Sequence, residues 1–401
     1  MYKKLTYLSL FAAVLVFAGS DNTSLTEVLQ KQQKVIETLS DKVDKLEMKK
    51  STNNSASFSQ NAYLPDIALI VNMSAVSRDV KNSDYEAYEI AGFVGEGEAE
   101  LPFNKDRGFN LNYAELALHS AVDPYFDVFA VFHLHPDAFE IEEAYVTTRA
   151  LPKSFRLKAG KFRSAFGRQN EKHQHAWSFD EQPIVYKALL GPDVISDPGI
   201  QLQWMAPTDT YIMAGGEALQ GGNDRSFGDT QGNNLYVGYI KSSIDISDDI
   251  SVLGGISLAH GKTEMKQDSD IYGLDLTLRK QLGSYSAISW QSEYLQRNRE
   301  DDKQGGLYSQ VVYQHNNNYS MGVRYEDISK NETDLTAYSG IDTDNLQKYT
   351  AMLQYKPFPF SRLRLEYSHD ETKIINGQRR DNDTVILSLN IAAGAHGAHA
   401  Y

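Results

Sequence analysis

Tyr272-Gly273-Leu274-Asp275-Leu276-Thr277-Leu278-Arg279 alternates, with apolar side chains at even positions and small or polar ones at odd positions. The same two-residue rhythm runs through Tyr319 to Glu326, Tyr349 to Lys356 and Leu363 to Ser368. Successive side chains of a strand point to opposite faces, so each stretch has one apolar and one polar face. One or two such stretches fit a soluble sheet. About sixteen of them behind an export signal fit lipid outside and water inside, the pattern of an all-β transmembrane barrel.

Working outward, strands are expected to start near Ile67, Asn110, Tyr125, Phe139, Phe155, Ile200, Tyr211 and Leu235. Eight more are expected near Val252, Ile271, Tyr285, Leu307, Tyr319, Lys348, Arg362 and Thr384. This count is even, as in single-chain bacterial barrels. The phase slips over Asn112–Leu118, which predicts a bulge. Tyr85–Leu101 could hold a further hairpin. Every second connection is short and made of turn residues, among them Asp123-Pro124, Pro207-Thr208-Asp209 and Pro357-Phe358-Pro359. The others are mostly long and polar, including Ser77–Arg107, Ser164–Asp197, Gln220–Asn233 and Ser329–Asn345. Strict alternation of short and long connections is what a membrane imposes on an antiparallel barrel, with short periplasmic turns and long extracellular loops.

The barrel is expected over residues 63–401. Residues 1–20 read as a signal peptide, with Lys3 and Lys4 before an apolar run and Ala18-Gly19-Ser20 at its end. Residues 21–50 read as a periplasmic helix. Its heptads place Leu29, Ile36 and Val43 at a and Leu25, Leu39 and Leu46 at d, with Gln32 in the remaining d position. That pattern predicts a coiled coil and self-association, a solvated spacer helix being the alternative. Residues 51–62 are a polar linker. The chain has no cysteine, so disulfide and thiolate chemistry are excluded. Its formal charge of −14 becomes more negative when Lys3 and Lys4 leave with the signal, which excludes a nucleic-acid partner. Many of the 24 tyrosines sit at the ends of the alternating segments, where barrels carry interfacial girdles.

Sixteen strands leave room for an aqueous channel. Its expected lumen lining is Arg156, Lys158, Asp275, Arg279, Arg324, Glu326, Arg362, Arg364 and Glu366. Opposed charges at these positions would order water and filter solutes, or would merely solvate the wall. The loop 164–197 is the expected constriction, because it carries Arg168, Trp177, Asp180 and Glu181 where a solvated loop would be polar throughout. His133 and His135 share an inward strand face, the next strand brings Glu140 and Glu142 alongside, and His173 and His175 lie on the loop above. Imidazole and carboxylate at this spacing can hold zinc or anchor a loop as a hydrogen-bonded cluster. A barrel hydrolase would need an oriented nucleophile or base. Only Asp137, Glu140 and His133 assemble locally, so an enzyme is not expected.

Leu157-Lys158-Ala159-Gly160-Lys161-Phe162, followed by Phe166-Gly167 before a long loop, resembles the phosphate-selective porin family. The resemblance implies sixteen-stranded trimeric channels of the Gram-negative outer membrane, some with an N-terminal periplasmic coiled coil. Phosphate-selecting members line the eyelet with Arg and Lys, whereas here basic and acidic residues are mixed. Phe132-His133-Leu134-His135-Pro136, His173-Gln174-His175 and the tail Gly394–Tyr401 are also similar to proteins labelled zinc-regulated outer-membrane receptors. True receptors of the TonB-dependent type have about 22 strands and a plug, for which this chain has no room. The expected function is an outer-membrane porin passing small hydrophilic solutes or ions. The alternative is a substrate-specific channel or receptor that binds a divalent metal.

Overall fold

The computed structural model describes residues 65–135, 139–149, 151–300 and 302–394. The expected signal peptide, coiled coil, linker, Asp137 and the tail beyond Gly394 lie outside the described residues. Each alternating stretch forms a strand. The first eight are β1 (Asp66–Arg78), β2 (Gly108–Ala121), β3 (Phe126–Leu134), β4 (Phe139–Thr148), β5 (Phe155–Arg163), β6 (Ser196–Met205), β7 (Tyr211–Leu219) and β8 (Leu235–Ser247). There follow β9 (Ile250–Lys262), β10 (Asp268–Gln281), β11 (Ala287–Arg299), β12 (Asp302–Gln314), β13 (Tyr319–Glu332), β14 (Gln347–Tyr355) and β15 (Ser361–Asp370). Two short strands, β16 (Ile374–Ile375) and β17 (Gln378–Arg379), make a hairpin in the next loop before β18 (Asn382–Gly394).

β1 to β15 and β18 close into one antiparallel barrel of sixteen strands. Closure runs between β1 and β18, from Ala68 opposite Gly394 to Arg78 opposite Thr384. A closed ladder leaves no sheet edge unpaired, the condition for placing strands in hydrocarbon. The two faces sort as the rhythm requires. On β10, Tyr272, Leu274 and Leu276 are exposed on the outside, whereas Ile271, Gly273 and Asp275 are buried inside. Outward Leu69, Ile200, Ile240, Val323, Leu353 and Leu365 are exposed in the same way. So large an exposed apolar surface belongs in lipid.

The expected phase slip is a bulge: Asn72 pairs with Tyr113 and Met73 with Leu111, which leaves Asn112 unpaired. A second bulge was not foreseen. Val131 pairs with Glu143 and Phe132 with Ile141, so Glu142 is the extra residue. Glu142 and its neighbour Glu143 are consequently both buried on the lumen side, although strict alternation would send one of them to lipid. Tyr85–Leu101 adds no further strand pair to the barrel; within it Ile90 and Val94 make a single antiparallel bridge around a tight turn. That loop holds a helical turn α1 (Asn82–Tyr85) and touches the last long loop, with Glu89 bridging to Ile374.

The interior departs from the expected uniformly polar lumen. The loop of residues 164–195 enters the barrel carrying helix α2 (Ile184–Leu190), of which only Lys187 is not buried. A helix buried all round needs apolar neighbours on every side. They come from inward Val237, Tyr239, Ile271, Leu295, Tyr308 and Ile328, and from Tyr88, Phe93 and Phe227 of other loops. A hydrophobic core thus sits inside the loop-side half of the barrel.

Candidate functional site: the lumen loop and its carboxylate–histidine anchor

The lumen loop is anchored to strands around much of the wall. Its neck is closed by Asn170, whose amide donates to the carbonyls of Ser164 and Ile195 at 2.9 and 3.0 Å and accepts the Ile195 N–H at 3.0 Å. On the β7 side, Ser164 donates to Glu217 at 2.5 Å. Gly167 then turns with φ 60°, and a Cβ there would lie 2.3 Å from the Tyr186 hydroxyl and 2.6 Å from Glu293. Only glycine fits both constraints. Gly160 of β5 is held likewise, with φ 136° and the Ala144 carbonyl 2.2 Å from where a Cβ would stand. The two glycines of the Leu157–Gly167 motif therefore serve loop entry and strand packing.

Glu293 of β11 is the central anchor. It accepts the Arg168 N–H at 2.7 Å and the Tyr186 hydroxyl at 2.7 Å, and is also bonded to Tyr308. Replacing Glu293 with alanine leaves three donors unpaired in the interior, at about 1–3 kcal/mol each. Loop opening should become at least 100-fold more frequent, taking roughly 3 kcal/mol as the net cost. Tryptic cleavage after Arg168 or Lys172 in folded protein reads this opening. Equal rates for wild type and variant would remove Glu293 as an anchor.

The expected constriction residues are brought together with most of the expected lumen residues, as docked pairs. Arg168 lies 3.3 Å from Asp275 on β10. Asp180 pairs with Arg364 of β15 at 3.1 Å and accepts from Ser388 of β18 at 2.8 Å, while its N–H donates to Glu366 at 2.9 Å. Glu181 pairs with Lys348 of β14, and its carbonyl accepts Arg324 at 2.9 Å. Burial pushes the Glu181 carboxyl upward, but Lys348 and Lys187 outweigh that and hold it well below the usual carboxylate range. Glu326 takes the Ile184 N–H at 2.6 Å, and Arg362 donates to the His175 carbonyl at 2.7 Å. Trp177 is buried and donates to the Lys172 carbonyl at 2.9 Å.

Asp275, Arg324, Glu326, Arg364 and Glu366 therefore do not line open water, as was expected of them, but hold the loop. The reason is that the loop brings backbone donors and opposite charges to each. Arg156, Lys158 and Arg279 lie apart. No hydrogen bond or ion pair joins them to the loop among the described residues, and Arg156 instead donates to Thr147 at 2.7 Å.

The histidines divide as well. His133, Glu142 and His173 converge, and Glu115 of β2, unforeseen from sequence, joins them. His133 Nε2 lies 2.6 Å from Glu142 and 3.3 Å from Glu115. His173 Nδ1 lies 3.1 Å from Glu142 and 3.8 Å from Glu115, and its Nε2 is 2.8 Å from Glu143. Arg163 donates to Glu142 at 3.0 Å, and His175 Nδ1 is 3.1 Å from Glu115. The expected Glu140 stays out of this cluster. Although it pairs opposite His133, it lies at the exposed loop-side start of β4 and turns to Lys161 at 3.7 Å. His135 stacks edge-on to His133 at 5.8 Å and is only half-buried. His135 and Glu140 instead line a vestibule of about 480 Å³ whose wall also includes His133, Glu142, Arg163 and Arg225.

The inward phase of β2 was the available signal for Glu115, since β2 pairs with β3 with Glu115 opposite His133. The signal for Glu143 was the Glu142–Glu143 doublet itself, which a regular strand cannot bury on one side.

Known proteins share this architecture. The channel DcaP of Acinetobacter baumannii superposes with a TM-score of 0.55 at 11% identity, covering 84% of this chain and 99% of that one. The anion-selective porin from Comamonas acidovorans gives 0.56 at 10% identity, covering 82% and 100%. At such identities the likeness is one of fold. An uncharacterized protein of Aquifex aeolicus is 40% identical over 385 residues, covering 86% of this chain and 81% of its own length. Residues 96–393 match the family described as "Putative beta-barrel porin-2, OmpL-like", and by this match across most of the barrel the chain belongs to that outer-membrane porin family.

Proposed function

We propose that this protein is an outer-membrane channel through which small hydrophilic solutes or ions diffuse, with the loop of residues 164–195 setting the bottleneck. The observation that carries the reading is that this loop enters the lumen and is held there from β7 to β18 by side chains pointing inward from the wall. In an eight-stranded barrel the strands' own side chains fill the interior, whereas sixteen strands leave a space that a loop can narrow. Both signs of charge meet at the bottleneck, in contrast to the all-basic lining implied by the phosphate-selective resemblance. Charge filtering is accordingly weak in this proposal, and no chemical step is assigned to the lumen. Self-association, expected from the heptads of residues 25–50, belongs to the same proposal.

The purified full chain in planar bilayers should show discrete, non-rectified conductance steps and slight preference between small anions and cations. Inserted protein that never conducts would sink the proposal.

A further inference from the structure

We propose that Glu115, His133, Glu142 and His173 form a site for one divalent transition-metal cation that ties the lumen loop to the barrel wall. One atom of each side chain serves throughout: His133 Nε2, His173 Nδ1, Glu115 Oε2 and Glu142 Oε2. Their four imidazole–carboxylate separations are 2.6, 3.3, 3.1 and 3.8 Å. All four residues supply donor atoms lying within 4.8 Å of one another. Ligands of a tetrahedral zinc, at bonds of about 2.0–2.2 Å, stand roughly 3.3 Å apart. A cation at the centre thus needs only small side-chain adjustments.

Charge and surroundings agree with this geometry. With neutral imidazoles, Glu115, Glu142 and Glu143 against Arg163 leave two negative charges in a buried place, where uncompensated charge is costly. A divalent cation matches them. Glu143 receives the far nitrogen of His173, and Arg163 orients Glu142, the outer-shell arrangement that fixes metal ligands. The second oxygen of the same carboxylate, Glu115 Oε1, is buried with no hydrogen-bond partner among the described residues, so a cation seated against Oε2 can draw on it as well. Two imidazole nitrogens with two carboxylates suit zinc-like ions over magnesium or calcium. Because His133 and Glu142 also line the vestibule, a hydrated cation has a way in. β2, β3, β4 and the loop each contribute one ligand, so the bound ion ties the loop to three adjoining strands of the wall.

The test is titration of the chelator-treated, detergent-solubilised full chain with Zn²⁺ alone, followed by calorimetry and elemental analysis. One zinc per chain is expected. Affinity should fall at least 100-fold in Glu115→Gln and in His173→Ala, and about 10–100-fold in Glu143→Gln. Glu140→Gln should bind as wild type does. Retained β-sheet circular dichroism and heat-modifiable mobility identify variants that remain folded, and Co²⁺ substitution should give the visible bands of a tetrahedral site. Folded wild type that takes up no stoichiometric zinc overturns the site, and protons on the imidazoles then balance the carboxylates. Equal affinities across the folded variants overturn it too. The readout is bound metal, so it stands or falls separately from conductance.

Discussion

Excising residues 171–190 and joining the ends through a short Gly-Ser turn should raise single-channel conductance several-fold and admit larger solutes. The barrel ladder does not depend on the removed segment. β5 and β6 remain paired from Phe155 opposite Trp204 to Arg163 opposite Ser196, so a short turn can close them. Arg324, Lys348 and Arg364 would lose their loop partners, and Glu293 its bond from Tyr186, but all would gain water, which compensates charge far better than a buried void does. The apolar wall of Val237, Ile271, Leu295 and Ile328 would instead become wet, so unfolding in urea should come at lower concentration. Conductance unchanged by excision would mean that the narrowest point lies elsewhere, on the side of Arg156 and Arg279.

Leu274→Arg should cost about 2–4 kcal/mol of barrel stability in lipid vesicles. Leu274 lies near the middle of β10 and points outward, 54% exposed, between the outward neighbours Tyr272 and Leu276. Arginine at that depth must either lose hydration or thin the bilayer around it. Arg279→Ala, inward and near the turn end of the same strand, should change stability by no more than about 0.5 kcal/mol. Equal, small effects at both positions would show that the outer face is not in hydrocarbon. The pair tests the immersion directly, since both substitutions lie on one strand and differ in face.

Several parts of the candidate site were legible because they obey local rules. His133, Glu142 and His173 were identifiable from strand phase and from the length and composition of one loop. Glu115, Glu143 and Arg163 were missed, although the phase of β2 and the glutamate doublet carried a signal for the first two. Glu143 lies inside only because the Glu142 bulge resets the phase of β4, and bulges answer to the partner strand as much as to the strand that carries them. Glu140 had the expected inward phase, but at the exposed start of β4 it pairs with Lys161 instead. The assignment of Asp275, Arg324 and Glu366 to open lumen failed differently. Their inward direction was right, but their partners come from a loop more than a hundred residues away in the chain, as with Arg168 and Asp275.

From the chain of amino acids alone came the strand positions, the even count, the order of short and long connections and the direction of most side chains. Each follows from a period of two residues and from turn chemistry, which act between near neighbours. Tertiary structure alone decided that the loop docks as a packed body with an apolar core inside the barrel, and that two glutamates from neighbouring strands and a loop histidine meet around His133. Those contacts depend on closure of the ring, which brings distant segments to one point in the lumen. No local pattern encodes the distance between them.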